Sequence, residues 1–222
     1  MAEKRILKNG ILIAIEGIDG AGKTTQSQML CEKLCEEGYS AVLLHEPTNG
    51  QWGQKIKELA KNGRHEITPE AELDLFYKDR IEDVEKNISP SIREKKVIVM
   101  DRYYYSNVTY QGARGLDPDY VEKKNEKIAP KPDLVVILDI PPPESSRRII
   151  ATRKDGPNHF ERTDYLEKVR NLFLQHFSGR TNVRVINGDG NHSKQEVFDC
   201  LWSLVKPKVL DAEETYSGRR RT

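Results

Sequence analysis

The chain has 222 residues, with 36 lysines and arginines against 35 aspartates and glutamates, a net charge of +1. That length suits one α/β domain with a short lid, and the charge balance argues against a general polyanion binder, so neither nucleic acid nor a membrane surface is the expected partner. Cys31, Cys35 and Cys200 form no disulfide framework, no apolar run is long enough to span a bilayer, and no N-terminal stretch reads as a signal peptide, so the expected setting is the cytoplasm.

The first predicted strand is the apolar run Ile11–Ile15. Directly after it comes Gly17-Ile18-Asp19-Gly20-Ala21-Gly22-Lys23-Thr24: two glycines flanking four residues, then lysine and threonine. Helix-compatible sequence from Thr25 to Glu37 completes the strand–loop–helix context that such a loop needs. The glycines let the backbone turn tightly and aim its amides at one polyphosphate, and the helix N-terminus adds partial positive charge. Lys23 suits the outer phosphates and the Thr24 hydroxyl suits Mg²⁺, so the loop implies binding of a nucleoside triphosphate. Cys31 and Cys35 lie one turn apart on the following helix and read as small buried hydrophobes.

Ala41–Leu44 is the second predicted strand. Thr68-Pro69 reads as an N-cap with proline at the first helical position. On the helix it opens, Leu73, Tyr77, Ile81, Val84 and Ile88 recur at spacings of three or four and are expected to face the core. Phe76 and Arg80 make a second pair on a neighbouring face, open to two readings. Together they suit a planar base, the ring stacking and the guanidinium donating to a carbonyl edge; the plainer reading is a core phenylalanine beside a surface arginine paired with Asp79 or Asp83.

Val97–Met100, the third strand, delivers Asp101-Arg102 to the sheet edge where open α/β folds bind ligands. The planar fork of Arg102 grips two phosphate oxygens at once, and Asp101 either holds that arginine or reaches a metal through water; a strand-end ion pair is the plain alternative. Tyr110 and Gln111 follow on a helical turn and are candidates to line the same pocket. Asp117-Pro118 repeats the cap-and-proline start, and Pro130, Pro132 and Pro141 to Pro143 bracket the fourth strand, Leu134–Ile140. The segment of residues 144–161 carries Arg147, Arg148, Arg153 and Lys154 before Asp155-Gly156-Pro157, and reads either as a lid that closes on a migrating phosphoryl group or as a solvated charged helix. Val183–Ile186 is the fifth strand, and Ser193 with Glu196 makes a capping box before Val197, Leu201, Leu204 and Val205. Five apolar strands alternating with helices predict a parallel sheet covered on both faces, in one domain spanning residues 1–206, with 207–222 as a mobile tail.

In this order the residues resemble the thymidylate kinase family of P-loop nucleoside monophosphate kinases. The resemblance runs roughly from Ile11 to Val205. It rests on the loop from Ile15 to Gln26, Glu46-Pro47, Leu75 to Arg80, Asp101-Arg102-Tyr103 through Ser106-Asn107, Tyr110-Gln111-Gly112, and Pro130 to Leu134. It implies a P-loop NTPase-type sheet of strand order 2-3-1-4-5, a homodimer, and transfer of the γ-phosphoryl group of ATP to dTMP with Mg²⁺. It further implies that Phe76 stacks on thymine, that Arg80, Ser106 and Asn107 read its polar edge, and that Arg102 holds the acceptor phosphate. Asp19 would contact the sugar or the magnesium shell, Tyr110 would crowd the 2′ position, Lys23 would bridge the donor phosphates, and Pro47 and Gln111 would belong to the acceptor pocket. Gly20 stands where one branch carries a catalytic arginine, which assigns that arginine here to the lid, at Arg153 first and Arg148 second. His45, Ile149, Ala151 and Asn158-His159-Phe160-Glu161 depart from common family patterns at the end of the second strand and in the lid. Two alternatives stay open at this point: a kinase for another monophosphate or for a deoxynucleoside, with Glu16 as base, and a slow nucleotide-dependent switch.

Overall fold

The computed structural model describes residues 4–62, 67–152 and 163–214. Five parallel strands, β1 (Ile11–Glu16), β2 (Ala41–His45), β3 (Val97–Asp101), β4 (Leu134–Asp139) and β5 (Val183–Asn187), lie in the order 2-3-1-4-5. β1 sits at the centre, which explains why all six of its residues are buried and why its sequence is continuously apolar until Glu16. β5 is an edge strand: only Val183 and Ile186 are buried, and Val185 is exposed. The chain goes from β1 outward to β2, returns through β3, then crosses to β4 on the other side, so the crevice beyond the strand ends opens beside β1. The register sets His45 opposite Asp101 and Asp101 opposite Ile15, bringing the ends of β2, β3 and β1 level at that crevice.

The helices are α1 (Lys23–Glu36), α2 (Gln51–Asn62), α3 (Pro69–Asp83), α4 (Ser89–Arg93), α5 (Tyr104–Ala113), α6 (Pro118–Glu126), α7 (Pro142–Thr152), α8 (Thr163–Phe177) and α9 (Lys194–Asp211). The expected caps form. Thr68 Oγ1 accepts from the Ala71 amide at 3.2 Å, Asp117 accepts from the Asp119 amide at 3.0 Å, and Ser193 and Glu196 cap each other reciprocally at 3.2 and 2.7 Å. Such a cap contributes about 1 kcal/mol, which in part sets where each helix begins.

Three expectations are corrected. The stripe on α3 does not face the core as a whole: Ile81 is 41% exposed and Tyr77 half-buried, whereas Glu72, Leu73, Asp79, Arg80 and Asp83 are buried. The helix turns polar groups inward because the loop after β2 supplies partners, the Thr48 amide and hydroxyl donating to Asp79 at 2.8 and 2.6 Å and Glu46 pairing with Arg80. Cys35 is exposed rather than buried, whereas Cys31 is half-buried and packs against the core. Finally, α9 continues through Pro207 to Asp211. A proline inside a helix costs about 3 kcal/mol. Burial of Val209 offsets part of that, and the chain beyond is tied to the N-terminal segment, the Lys8 amide donating to Ala212 O at 2.8 Å and the Glu214 amide to Ile6 O at 2.9 Å. No helix among the described residues is long and apolar enough to cross a membrane.

Candidate active site

β1 ends at Glu16 and the backbone turns at once through Gly17, whose φ is +137°. A Cβ there would stand 2.5 Å from Leu138 O, so only glycine lets the loop pass this close to β4. Gly22, with φ +93°, caps α1, and the first helical residues are Lys23 and Thr24. The loop is braced from α7, where the Ser145 hydroxyl donates to Asp19 O at 2.6 Å. Lys23 is buried and donates to Ile18 O at 2.7 Å. Burial, together with the nearby Arg102 charge, pushes its ammonium down to about 8.

Beyond the loop lies a cleft of about 1050 Å³. Of the residues expected at a donor site, Asp19, Gly20, Ala21, Gly22, Lys23, Thr24 and Arg148 line it; Gly17 and Ile18 support the loop from behind. Arg148 donates to Gly188 O at 2.8 Å, to Gly20 O at 3.4 Å and to Glu144 at 2.7 Å, which ties α7 to the phosphate loop and to the turn after β5. Arg153, Lys154 and the motif at residues 158–161 lie outside the described residues, as does the tail beyond Glu214.

Arg102 and Pro47 line the same cleft. The Arg102 backbone takes a left-handed conformation, φ +69°, held by a hydrogen bond from its amide to Ile15 O at 3.1 Å. A non-glycine residue in that region costs of order 1–2 kcal/mol, and it is retained here at a sheet end beside a phosphate loop. The guanidinium pairs with Asp19, donates to Ser106 Oγ at 3.1 Å and to Gly17 O at 3.4 Å, and packs over the Tyr110 ring at 5.4 Å. Tyr110 in turn accepts from the Asp19 amide at 3.1 Å and donates to its carboxylate at 3.2 Å. Asp101 does not hold Arg102; it accepts from the Thr24 hydroxyl at 2.6 Å. Two cationic groups, Lys23 and Arg102, therefore face one cleft from different elements, with Asp19 between them.

Arg80 is 1% exposed and matches neither surface pairing expected from the sequence. Its Nε donates to Glu46 at 3.2 Å, Nη2 also pairs with Glu46, and Nη1 donates to Asn107 at 2.6 Å and to Asn125. Four of its five N–H groups are thus engaged, leaving one on Nη2. Phe76 is half-buried beside it on α3, whereas Ser106, Asn107, Tyr110 and Gln111 are buried and none of the five contributes to the lining of the large cleft. Gln111 approaches Glu72 at 3.3 Å, where Arg114 also pairs.

A family model of thymidylate kinases matches residues 15–199. The chain belongs to the thymidylate kinase family. It is 43% identical over 198 residues to a protein described as a probable thymidylate kinase of Archaeoglobus fulgidus, covering 89% of this chain and 98% of that one. It is 48% identical over 164 residues to a thymidylate kinase of Xanthomonas campestris pv. campestris, covering 74% of this chain and 70% of that one, and 46% identical over the same length to that of Xanthomonas oryzae pv. oryzae, with the same coverage.

Set beside the family's reaction, the donor atoms around Thr24 fit Mg²⁺: a hydroxyl with the Asp101 and Asp19 carboxylates at the cleft wall gives the hard oxygen set that this ion takes. Several members of the site were not singled out from sequence. Glu46 was noted only as part of a Glu-Pro pair, yet it is the partner of Arg80. Asn125 sits in a polar stretch with no motif around it. Lys57 of α2 lines the cleft beside His45 and donates to Asn49 at 2.7 Å, and only its helical position would have suggested it.

Proposed function

We propose that this chain transfers the γ-phosphoryl group of ATP to dTMP, giving ADP and dTDP. What supports this reading, with family membership, is one juxtaposition: the phosphate loop and Arg102, from different elements, open onto the same cleft. In this reading the loop amides and Lys23 hold the donor, and Arg102 exchanges Asp19 for the acceptor phosphate. An oxygen of that phosphate attacks the γ-phosphorus as the bond to the bridging oxygen breaks, and ADP leaves with the electron pair. The acceptor is already anionic near neutral pH, so the protein's work is positioning and charge neutralisation rather than removal of a proton. Mg²⁺ held through Thr24 and, by water, the neighbouring carboxylates would neutralise charge on the donor phosphates.

We assign Phe76 to stacking on thymine, and the remaining Arg80 N–H with Ser106 and Asn107 to its polar edge. Tyr110 guards the 2′ position, and Pro47 and Gln111 shape the pocket. Arg153 closes from the lid of residues 144–161 while Arg148 supports the donor loop. The body is one domain that takes in α9 as far as Asp211, acting as a cytoplasmic homodimer, and light scattering on the eluting protein tests the pairing. A coupled assay of ADP formation with dTMP, dUMP, dCMP, AMP and thymidine tests the reaction. The expected result is fastest turnover with dTMP. Faster turnover with thymidine, or ADP release indifferent to any acceptor, would overturn it.

A further inference from the structure

Glu16 is a fully buried carboxylate that this mechanism leaves without a task. It closes β1 directly before the phosphate loop and is 0% exposed. Each of its oxygens is filled. Oε1 accepts from the Tyr103 amide at 2.7 Å and the Ser106 amide at 3.2 Å, and Oε2 accepts from the Ser106 hydroxyl at 2.6 Å. It does not line the cleft, so it is not placed to take a proton from a substrate hydroxyl. Burial raises its carboxyl above the ordinary range, while the Ser106 hydroxyl and the Arg102 charge pull it back down.

We propose that Glu16 is a positioning residue for Arg102, acting through Ser106. A serine hydroxyl has one hydrogen. With that hydrogen committed to Glu16, Ser106 presents only lone pairs to Arg102 Nη1, 3.1 Å away. The carboxylate thus fixes the direction of the relay: Arg102 donates, Ser106 accepts and passes its own hydrogen on to Glu16. The same carboxylate holds the Tyr103 and Ser106 amides, and so fixes the first turn of α5 immediately after the left-handed Arg102. Asp19 and Ser106 hydrogen-bond the guanidinium from different directions. If an acceptor phosphate replaces Asp19, the Ser106–Glu16 arm stays, along with the longer contact to Gly17 O and the Tyr110 ring. Because Glu16 adjoins Gly17, this arm sets the acceptor-phosphate grip at a fixed distance from the donor loop. The inference rests on the reading that Arg102 holds the acceptor phosphate.

The test compares Glu16→Gln, Ser106→Ala, the double variant and Arg102→Ala, with kcat and KM measured for dTMP and for ATP separately. Glutamine keeps the size but places an amide N–H where the carboxylate accepted, so Ser106 faces two donors. The expected result is a 10- to 100-fold fall in kcat/KM for dTMP, roughly the effect of losing one charge-assisted hydrogen bond, with KM for ATP within about twofold of wild type. The double variant should lose no more than the worse single variant. If Glu16→Gln does not fold, Ser106→Ala, which leaves both backbone contacts to Glu16, must weaken binding of dTMP by a larger factor than binding of thymidine, which has the base contact but no phosphate. Unchanged dTMP kinetics in Glu16→Gln or Ser106→Ala, equal losses for both substrates, or additive losses in the double variant overturn the proposal. If Arg102→Ala is impaired while Glu16→Gln is not, the relay alone is wrong; if Arg102→Ala behaves like wild type, the reading beneath it has failed as well.

Discussion

Replacing Arg102 by alanine removes the group on which the acceptor side of the site turns. In the free protein its guanidinium already has partners in Asp19 and Ser106, so acceptor binding is an exchange rather than a gain from nothing. A forked contact to phosphate is two charge-assisted hydrogen bonds, each contributing about 1.5–3 kcal/mol. Discounting one for the Asp19 contact that is given up leaves about 1.5–3 kcal/mol. At about 1.36 kcal/mol per tenfold, that corresponds to a loss of roughly 10- to 150-fold in kcat/KM for dTMP. Lys23, Thr24 and the loop amides are untouched, so KM for ATP should stay near the wild-type value. Arg102→Lys should recover only part of the loss, because an ammonium lacks the fork. The assay is coupled ADP formation with dTMP and ATP varied in turn. Arg102→Ala with wild-type dTMP kinetics would refute the reasoning and leave Arg102 as a structural ion-pair partner; equal loss for both substrates would point to collapse of the loop instead.

Three further outcomes follow from the same geometry. Lys23 is held down to about 8 in the free protein, and a bound polyphosphate must raise it. Binding therefore takes up a proton once the pH passes about 8: ATP affinity should be flat below that pH and weaken by up to about tenfold per unit above it, in calorimetric titrations. A flat profile to pH 9.5 would show that Lys23 stays charged throughout. Arg80→Ala leaves Glu46 buried without its counter-ion, a change that costs about 3–5 kcal/mol and should lower Tm by roughly 6–20 °C in a thermal melt; an unchanged Tm would show that the pair contributes no stability. Arg153→Ala should lose more kcat than Arg148→Ala, whose side chain is committed to Glu144, Gly20 and Gly188; the opposite ranking would move the catalytic arginine of the lid to Arg148.

How much of this was legible in the sequence depends on how far apart the interacting residues lie. The phosphate loop is a local device, its spacing and flanking elements adjacent in the chain, and it reads directly. The strands read because β1, β3 and β4 are buried on both faces and so continuously apolar. Their order does not follow from the runs; it came from the resemblance, and the sheet has it. The rotation of α3 was illegible because Glu46, Thr48 and Asn125 lie 31 to 45 residues from their partners, so a helix carrying both an apolar stripe and charges gave no hint that the charges face inward. Arg102 could be placed at the sheet end from its position after β3, but its pairing with Asp19, 83 residues away, could not. The last turn of α9 beyond Pro207 was missed because that segment carries charges and no apolar stripe, while the single residue Val209 is buried.

A crystal structure with dTMP and ADP bound together measures the central relation directly. The account expects the ADP phosphates under the amides of Gly20 to Thr24, the dTMP phosphate on the Arg102 guanidinium in the position now taken by Asp19, and the two facing each other across the cleft. Arg102 still paired with Asp19, with the dTMP phosphate held elsewhere, would contradict it.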